Sequence, residues 1–325
     1  MLGPLGIAGN IAVLIVSLVI LMKTSNLAIT NSINLASATG LGKTKIGFLF
    51  VAFSTSLPEL FVAIFAIWNP DAIGISVGNV LGSNIANICL ILGIGFIIMA
   101  VKYPKSTGFF TKMASDEVGS LNFGLLVSSL VPLVLLFIGY ASQIVGVFLV
   151  AIFVYNTYAL AKKKGSVEEI SDEAEKSKVG KYFAKAVVGF IGVVACAYVV
   201  VESASFIALS AGIPSIIIGG TIVAFGTSVP ELVTSIDSVR KGFLELALGN
   251  IIGSCFLNTT LILGLTFLIS PVNVNISAFS ALVFFSLLST IILSYILQNA
   301  KVRKREGIIL LIIYLIFIVT SFGSG

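Results

Sequence analysis

Hydrophobic residues in this chain fall into long runs that are separated by short polar connections. About ten such runs are near or above the roughly 20 residues that an α-helix needs to cross the hydrocarbon of a bilayer. The predicted spans cover residues 5–38, 45–67, 72–101, 121–139, 142–161, 183–211, 215–239, 243–269, 275–298 and 307–323. No run alternates apolar with polar residues over about 10 positions, as a strand of a membrane barrel would. The pattern therefore predicts an all-α membrane protein with about ten transmembrane helices.

The composition agrees with lipid as the main solvent. Hydrophobic residues make up 58% of the 325 residues and the mean hydropathy is +1.13, which exceeds what one soluble core of this length needs. The chain contains no histidine, the side chain that most often binds transition metals or shuttles protons near neutral pH. Cys89, Cys196 and Cys255 lie inside apolar runs and match no metal-ligand spacing, so we interpret them as small buried residues.

Basic residues gather in every second connection, after the first, third, fifth, seventh and ninth spans. Lys43 and Lys45 follow the first span, for example, and Arg240 and Lys241 follow the seventh, whereas the even-numbered connections and both termini contain no Lys or Arg. The positive-inside rule then predicts that odd-numbered loops are cytoplasmic and that both termini face outside, in a multi-pass protein of the plasma membrane. Lys23, inside the first span, is the one exception.

Two sequence motifs occur twice in the same order. The segment VAFSTSLPEL at 51–60 recurs as VAFGTSVPEL at 223–232, identical at 8 of 10 positions, and GNVLGSNIAN at 78–87 recurs as GNIIGSCFLN at 249–258. The chain is therefore a duplication, with one five-helix repeat at 1–161 and another at 183–325. Because each repeat holds an odd number of spans, equivalent helices must run in opposite directions, as in the inverted repeats of many secondary transporters.

The segment 162–182 joins the two repeats and is the longest polar stretch of the chain. Its mixture of acidic residues and lysines leaves a calcium-sensing role conceivable. The acidic residues lack the ordered ligand spacing and turn glycine of a calcium loop, however. We therefore predict a solvated cytoplasmic linker.

The first repeated motif places a carboxylate inside a membrane span in each half. Glu59 and Glu231 would each cost at least a few kcal/mol in lipid if unpaired, so they should face each other, a cavity or a cation. Each follows a proline, Pro58 or Pro230, which lacks an N–H and frees the carbonyl four residues earlier. Hydroxyl oxygens lie within one turn of each glutamate, on Thr55, Ser56, Thr227 and Ser228. Such an all-oxygen set suits hard ions such as Ca²⁺ and Na⁺.

The second motif adds neutral oxygens. Ser83 and Asn87, like Ser254 and Asn258, are four residues apart and share a helical face. Two ionised glutamates would balance one Ca²⁺, or two Na⁺ with a third held mainly by neutral oxygens. The charge balance is thus compatible with mutually exclusive occupancy by the two ions.

At these residues the sequence resembles the cation/calcium antiporter superfamily, whose two repeats carry G-T-S-x-P-E and G-N-x-x-G-S-N-x-x-N/D. Within it the chain is similar to the sodium/calcium exchanger branch of prokaryotic type, because the proton/calcium branch typically carries an acidic residue soon after its Gly-Asn pair. The resemblance implies that the ion ligands are the carbonyls of Ala52 and Ala224 with the side chains of Thr55, Ser56, Glu59, Ser83, Asn87, Thr227, Ser228, Glu231, Ser254 and Asn258. The chain departs from the motifs at Ser54, Cys255 and Asn258, and the last makes the centre less acidic than in some relatives.

Together the residues and the resemblance predict a secondary antiporter, not an enzyme, in which Na⁺ entry drives Ca²⁺ extrusion by alternating access at one central site. Its substrates would be Ca²⁺ and Na⁺, with no cofactor, no nucleic acid and no obligate protein partner beyond the lipid bilayer. H⁺/Ca²⁺ exchange and K⁺-dependent exchange on the same scaffold remain alternatives. A cation channel is a rival from another class, since its flux would need no counter-ion.

Overall fold

The computed structural model describes residues 5–38, 53–69, 72–103, 112–162, 178–273, 276–298 and 303–323. Helices dominate these ranges, as the hydrophobic pattern predicts. The earlier helices are α1 (Gly6–Ala38), α2 (Leu57–Ile67), α3 (Ile73–Ile85), α4 (Gly93–Lys102), α5 (Lys112–Ile138) and α6 (Gln143–Lys162). The later helices are α7 (Val179–Ala211), α8 (Ser215–Ile218), α9 (Ala224–Thr227), α10 (Val229–Arg240), α11 (Leu244–Leu257), α12 (Leu263–Ile269), α13 (Ile276–Gln298) and α14 (Lys304–Gly323).

Six of the described helical segments are long and apolar enough to cross a bilayer. They are Gly6–Ala28, Ile73–Lys102, Val179–Ala211, Leu246–Ile269, Phe279–Gln298 and Lys304–Phe322. A seventh span results if the bent pair Ser215–Thr227 and Val229–Arg240 is counted as one, and three shorter apolar helices accompany them. The chain is therefore an integral membrane protein, while the total of ten spans stays a prediction.

Large apolar side chains cover much of the outer surface of the described helices. Phe137 is 87% exposed, Ile144 78% and Tyr155 71%. An apolar patch of this extent would be a liability in water but is the expected surface of a protein in contact with acyl chains.

Two helices break at equivalent points of the repeated motif. Ser56 and Ser228 leave the helical conformation, with ψ of 10° and 2°, and α2 and α10 begin at the next residue with proline in their first turn. The two parts of the broken helix around Ser228 make an angle of 45°. The breaks that Pro58 and Pro230 predict are thus confirmed, and they occur two residues before each proline.

Within the described ranges, three helices also widen into π-helical turns, at Ala86–Leu92, Gly219–Val223 and Asn258–Ile262. A π-helical turn accommodates one extra residue and often marks a functional site. Asn87 lies in the first of these turns and Asn258 begins the third, so both predicted amide ligands stand where the regular helix is interrupted.

Glycines permit a close crossing of α3 with the broken helix 215–227. Gly78 faces the carbonyl oxygen of Ile216, and one turn later Gly82 faces the carbonyl oxygen of Gly220. A methyl group at either position would overlap these backbone atoms. This contact between backbones brings α3 against the π-helical turn Gly219–Val223, which precedes the break at Ser228.

A two-residue bridge ties together two connections that are far apart in sequence. Strand β1 (Tyr140–Ala141) follows α5, strand β2 (Val272–Asn273) follows α12, and they pair antiparallel with Tyr140 opposite Asn273. The ends of α5 and α12 therefore lie at the same face of the molecule.

Candidate cation site

The two repeated glutamates lie in the interior, each as the third residue of its helix. The side chains of Glu59 in α2 and Glu231 in α10 are both 0% exposed. At a helix N-terminus the backbone N–H groups carry partial positive charge that partly offsets a carboxylate. The structure places both side chains in the interior rather than against lipid, and their facing each other, a cavity or a cation stays a prediction.

The threonine of the first repeat binds across to the second repeat. Thr55 Oγ1 lies 3.3 Å from Asn250 Oδ1, to which it donates, and 3.3 Å from Ser254 Oγ. The amide nitrogen of Asn250 donates to Ser235 Oγ at 3.2 Å, which turns the amide oxygen toward Thr55. All four side chains are buried.

The equivalent threonine of the second repeat makes the same contacts with the first. Thr227 Oγ1 donates to Asn79 Oδ1 at 3.0 Å and lies 3.4 Å from Ser83 Oγ. In each case a motif threonine contacts the asparagine and the serine of the other repeat's second motif. The two motifs are thus interlocked reciprocally, and their hydroxyl groups converge on the two glutamates.

Hydroxyl groups from both repeats line the carboxylates. Ser56 Oγ donates to Glu231 Oε1 at 3.4 Å. Ser83, Thr227 and Ser228 lie close to the Glu59 carboxyl group, although among these described hydroxyls none has the geometry of a hydrogen bond to it. The centre therefore consists of carboxylate, hydroxyl and amide groups.

Several oxygens in this centre are buried without a hydrogen-bond partner among the residues that the structure describes. They are both carboxylate oxygens of Glu59, Oε2 of Glu231, Oγ of Ser228, Oδ1 of Asn87 and Oδ1 of Asn258. Burying unpaired carboxylate and carbonyl oxygens is costly unless a cation or a donor compensates them. Hard cations prefer oxygen ligands, so the chemistry of this set fits Na⁺ or Ca²⁺ as a bound substrate.

The structure brings most of the sequence-predicted site residues into this buried centre. Thr55, Ser56, Glu59, Ser83, Asn87, Thr227, Ser228, Glu231, Ser254 and Asn258 are all at most 3% exposed. Ala52 lies outside the described residues. The carbonyl oxygen of Ala224 is described and accepts the N–H of Ser228 at 3.1 Å, and Thr227 Oγ1 lies 3.3 Å from it.

Three asparagines in the centre were not among the predicted site residues. Asn79 and Asn250 are the asparagines of the repeated Gly-Asn pair, so their recurrence was a usable signal in the sequence. Asn84 is different, because Cys255 occupies the equivalent position of the other repeat. Its contacts with the second repeat appear only in the structure.

Comparisons with known proteins find sodium/calcium exchangers among the relatives of this chain. The family model described as "Sodium/calcium exchanger protein" matches residues 9–162 and 181–323. The sodium/calcium exchanger MaX1 of Methanosarcina acetivorans is 33% identical, and the alignment covers 96% of this chain and 98% of that protein. An uncharacterized membrane protein of Methanocaldococcus jannaschii is 32% identical over 94% of this chain and 95% of its own length.

Among solved structures, the sodium-calcium exchanger NCX_Mj matches with a TM-score of 0.66 and 26% identity, over 97% of this chain and 99% of that one. The H⁺/Ca²⁺ exchanger CAX matches with a TM-score of 0.75, over 97% of this chain and 87% of that one, but at 17% identity this likeness concerns the fold alone. Proteins that share this fold thus include exchangers that differ in the coupling ion.

Proposed function

We propose that this chain, which belongs to the sodium/calcium exchanger protein family, exchanges Na⁺ for Ca²⁺ across the plasma membrane by alternating access at its buried oxygen cluster. The observation that carries the proposal is the pair of buried glutamates, one from each repeat, with carboxylate oxygens that lack hydrogen-bond partners among the described residues. The family consists of transporters, and the proposed role is transport without enzymatic chemistry or a cofactor.

The proposed ligands are the groups that converge on the two carboxylates. They are the side chains of Thr55, Ser56, Glu59, Ser83, Asn87, Thr227, Ser228, Glu231, Ser254 and Asn258, with the carbonyls of Ala52 and Ala224. Two carboxylates can neutralise one Ca²⁺ or two Na⁺, and like-charged ions held by the same two carboxylates repel each other strongly in a medium of low dielectric constant. Binding of one ion type should therefore exclude the other, which is the basis of exchange.

Sodium rather than protons is the proposed coupling ion. Both Gly-Asn pairs of the second motif, at Asn79 and Asn250, lead into Gly-Ser without an intervening acidic residue. We propose to test the coupling by measuring Ca²⁺ uptake into vesicles under separately imposed Na⁺, H⁺ and K⁺ gradients. Uptake driven by an outward Na⁺ gradient alone supports the proposal. Uptake driven by a pH gradient, or a requirement for K⁺ in addition to Na⁺, would replace it with one of the alternative couplings.

The proposed architecture is ten transmembrane helices in two inverted five-helix repeats, 1–161 and 183–325, joined by the cytoplasmic linker 162–182. Its support is the reciprocity of the site. Thr55 contacts the second motif of the later repeat as Thr227 contacts that of the earlier one, and both broken helices place a glutamate at the same position after the break. A twofold axis in the membrane plane relates two such halves in the simplest way.

Contacts at the two faces support the proposed orientation. Lys102 Nζ and the Tyr103 hydroxyl both donate to the carbonyl oxygen of Arg240, at 2.6 and 3.0 Å. These bonds join the C-terminal end of α4 to that of α10, and the loops that follow both helices are basic. The β1–β2 bridge joins two connections that contain no Lys or Arg. Segregation of basic loops to one face is the arrangement that the positive-inside rule describes for a protein with its termini outside.

We expect cysteines introduced on the two faces to react from opposite sides of the membrane. In a Cys196→Ala background, a membrane-impermeant maleimide should label Trp68→Cys in intact cells and Lys241→Cys only after the cells are opened. Both parent side chains are exposed, at 77% for Trp68 and 63% for Lys241, while Cys89 and Cys255 are buried. Labelling of both introduced cysteines from the same side would contradict the inverted arrangement.

A single added carboxylate should change the ion preference of the site. Asn258→Asp would raise the number of acidic side chains in the centre from two to three, which favours a divalent over a monovalent ion. We therefore expect the ratio of Ca²⁺ to Na⁺ affinity to rise, with folding retained because the two side chains have nearly the same shape. The control is Asn122→Asp, since Asn122 bonds Ser294 elsewhere in the interior at 3.0 Å. Equal ratios in the Asn258→Asp protein and the parent would place Asn258 outside the ion cluster.

A further inference from the structure

A chain of hydrogen bonds links the hydroxyl of Thr259, through the amide of Asn84, to the amide of Asn258. The hydroxyl of Thr259 donates to the carbonyl oxygen of Cys255 at 2.9 Å, which uses its only proton. Thr259 Oγ1 can then only accept from Asn84 Nδ2, which lies 2.7 Å away. The nitrogen of the Asn84 amide is thereby fixed toward Thr259, and a second contact to the Cys255 carbonyl at 3.4 Å holds it there.

The orientation of Asn84 dictates that of Asn258. With its nitrogen directed at Thr259, the Asn84 amide presents its oxygen to Asn258, and Asn258 Nδ2 donates to it at 3.2 Å. The remaining polar atom of Asn258 is Oδ1, which is buried and has no hydrogen-bond partner among the described residues. A cation binds an amide through its oxygen, so this network sets the amide in the orientation that a cation requires.

The first repeat has no counterpart to this network within the described residues. Ile88 stands where the second repeat has Thr259, and Cys255 stands where the first repeat has Asn84. Both polar atoms of the Asn87 amide accordingly lack a geometric hydrogen-bond partner among the described residues. The two amides of a nearly symmetrical site therefore differ, because one is oriented by its surroundings and the other is not.

We propose that Asn84 and Thr259 are positioning residues that hold the Asn258 amide with its oxygen toward the transported cation. The inference rests on the proposed function, in that Asn258 is taken to lie beside the bound ion. Pre-orientation spares the ion the cost of turning the amide, and successive hydrogen bonds in one chain polarise one another, which makes the terminal oxygen a better ligand. Asn258 is then the fixed neutral ligand of the site, and Asn87 the adaptable one.

Removal of the Thr259 hydroxyl tests the proposal. In Thr259→Val the Asn84 nitrogen loses its nearer acceptor and keeps only the long contact to the Cys255 carbonyl at 3.4 Å, so both amides can turn and the Asn258 NH₂ group can face the ion. We expect the apparent Ca²⁺ affinity to fall about tenfold. This is the lower end of the loss of affinity that is typical when a group that orients a metal ligand is removed. The maximum exchange rate at saturating Ca²⁺ should change much less.

The neighbouring threonine provides a matched control. Thr260 lies in the same π-helical turn, is equally buried, and donates to the Phe256 carbonyl at 2.6 Å in the way that Thr259 donates to Cys255. Thr260→Val removes the same kind of bond without touching the Asn84 network, so its Ca²⁺ affinity should stay near that of the parent. Thr259→Ser keeps the hydroxyl and should restore parental affinity. Thr259→Ala serves if the valine variant does not give a monodisperse protein.

Two readouts separate this inference from the proposed function. Ca²⁺ binding to the purified protein is measured by calorimetry, and exchange is measured in vesicles. A parent that binds Ca²⁺ but does not exchange it would overturn the proposed function while still testing the network through binding. Equal affinities of Thr259→Val and Thr260→Val, or a loss in Thr259→Val that Thr259→Ser does not restore, would overturn the positioning role. A parent that neither binds nor exchanges Ca²⁺ would overturn both.

Discussion

Glutamine in place of either Glu59 or Glu231 is expected to nearly abolish Ca²⁺ exchange and to leave a folded, membrane-inserted protein. Glutamine keeps the shape of the side chain and removes one of the two buried charges. At about 4 Å and an effective dielectric constant of about 20, one carboxylate attracts a monovalent ion by about 4 kcal/mol and a divalent ion by about twice that. Exchange should therefore fall by more than about 100-fold, and Ca²⁺ binding should suffer more than Na⁺ binding.

Folding should not suffer, because a neutral amide costs less inside a membrane than an uncompensated carboxylate. The matched control is Glu306→Gln, since Glu306 lies at the start of α14 and accepts the exposed N–H of Arg303 at 3.0 Å. Its exchange should equal that of the parent. Exchange is measured as the initial rate of Ca²⁺ uptake, and folding is measured by the elution profile of the protein in detergent. Parental exchange rates in both buried-site variants would make these glutamates structural and the proposed mechanism wrong.

Alanine at Gly82 is expected to cost both stability and transport. The added methyl group would overlap the Gly220 carbonyl, and Gly78 packs against Ile216 one turn earlier, so α3 cannot withdraw at one point only. Overpacking a core typically costs about 1–3 kcal/mol, and a clash with backbone belongs near the upper end because no rotamer relieves it. Since Ser83 follows directly and faces Thr227, the shift should also displace site hydroxyls and lower exchange more than about tenfold.

Gly95→Ala is the control for this substitution. Gly95 lies further along the same long span, where a methyl group would meet only the Val239 side chain at 3.4 Å, an ordinary contact. The thermal unfolding midpoint in detergent and the rate of Ca²⁺ uptake should be the same for Gly95→Ala as for the parent. Both quantities should be well below the parental values for Gly82→Ala. Indistinguishable unfolding midpoints in the two variants would mean that the close crossing is not a constraint on the fold.

The positions of the helices and of the breaks in them were predictable from local sequence. Long apolar runs report burial in lipid directly, and a proline without an N–H must interrupt the ladder of hydrogen bonds, as it does near Ser56 and Ser228. The span predicted at 121–139 matches the apolar helix Asn122–Ile138, while α5 itself begins earlier, at Lys112. Hydropathy detects only the apolar part of a helix, whereas residues such as Lys, Met and Ala also favour the helical conformation.

The burial of these glutamates, serines and threonines in the interior was predictable because each occurs twice in the same context. The orientation of their side chains was not, because it depends on contacts between residues far apart in sequence. The bond from Asn258 to Asn84 is an example, since it joins the two repeats at positions that do not match between them. The π-helical turns were equally inaccessible, because an extra residue in a helix leaves no simple periodic signal.

Simultaneous measurement of Na⁺ and Ca²⁺ fluxes in vesicles that contain the purified protein tests whether the two ions are exchanged for each other. Vesicles loaded with Ca²⁺ are diluted into media with or without Na⁺, and both ions are followed with radioactive tracers at a clamped membrane voltage. We expect that Ca²⁺ leaves only when external Na⁺ is present, that Na⁺ accumulates in fixed proportion, and that Glu59→Gln and Glu231→Gln stop both fluxes together. Release of Ca²⁺ at the same rate without any counter-ion would show a channel and contradict Na⁺/Ca²⁺ exchange by this protein.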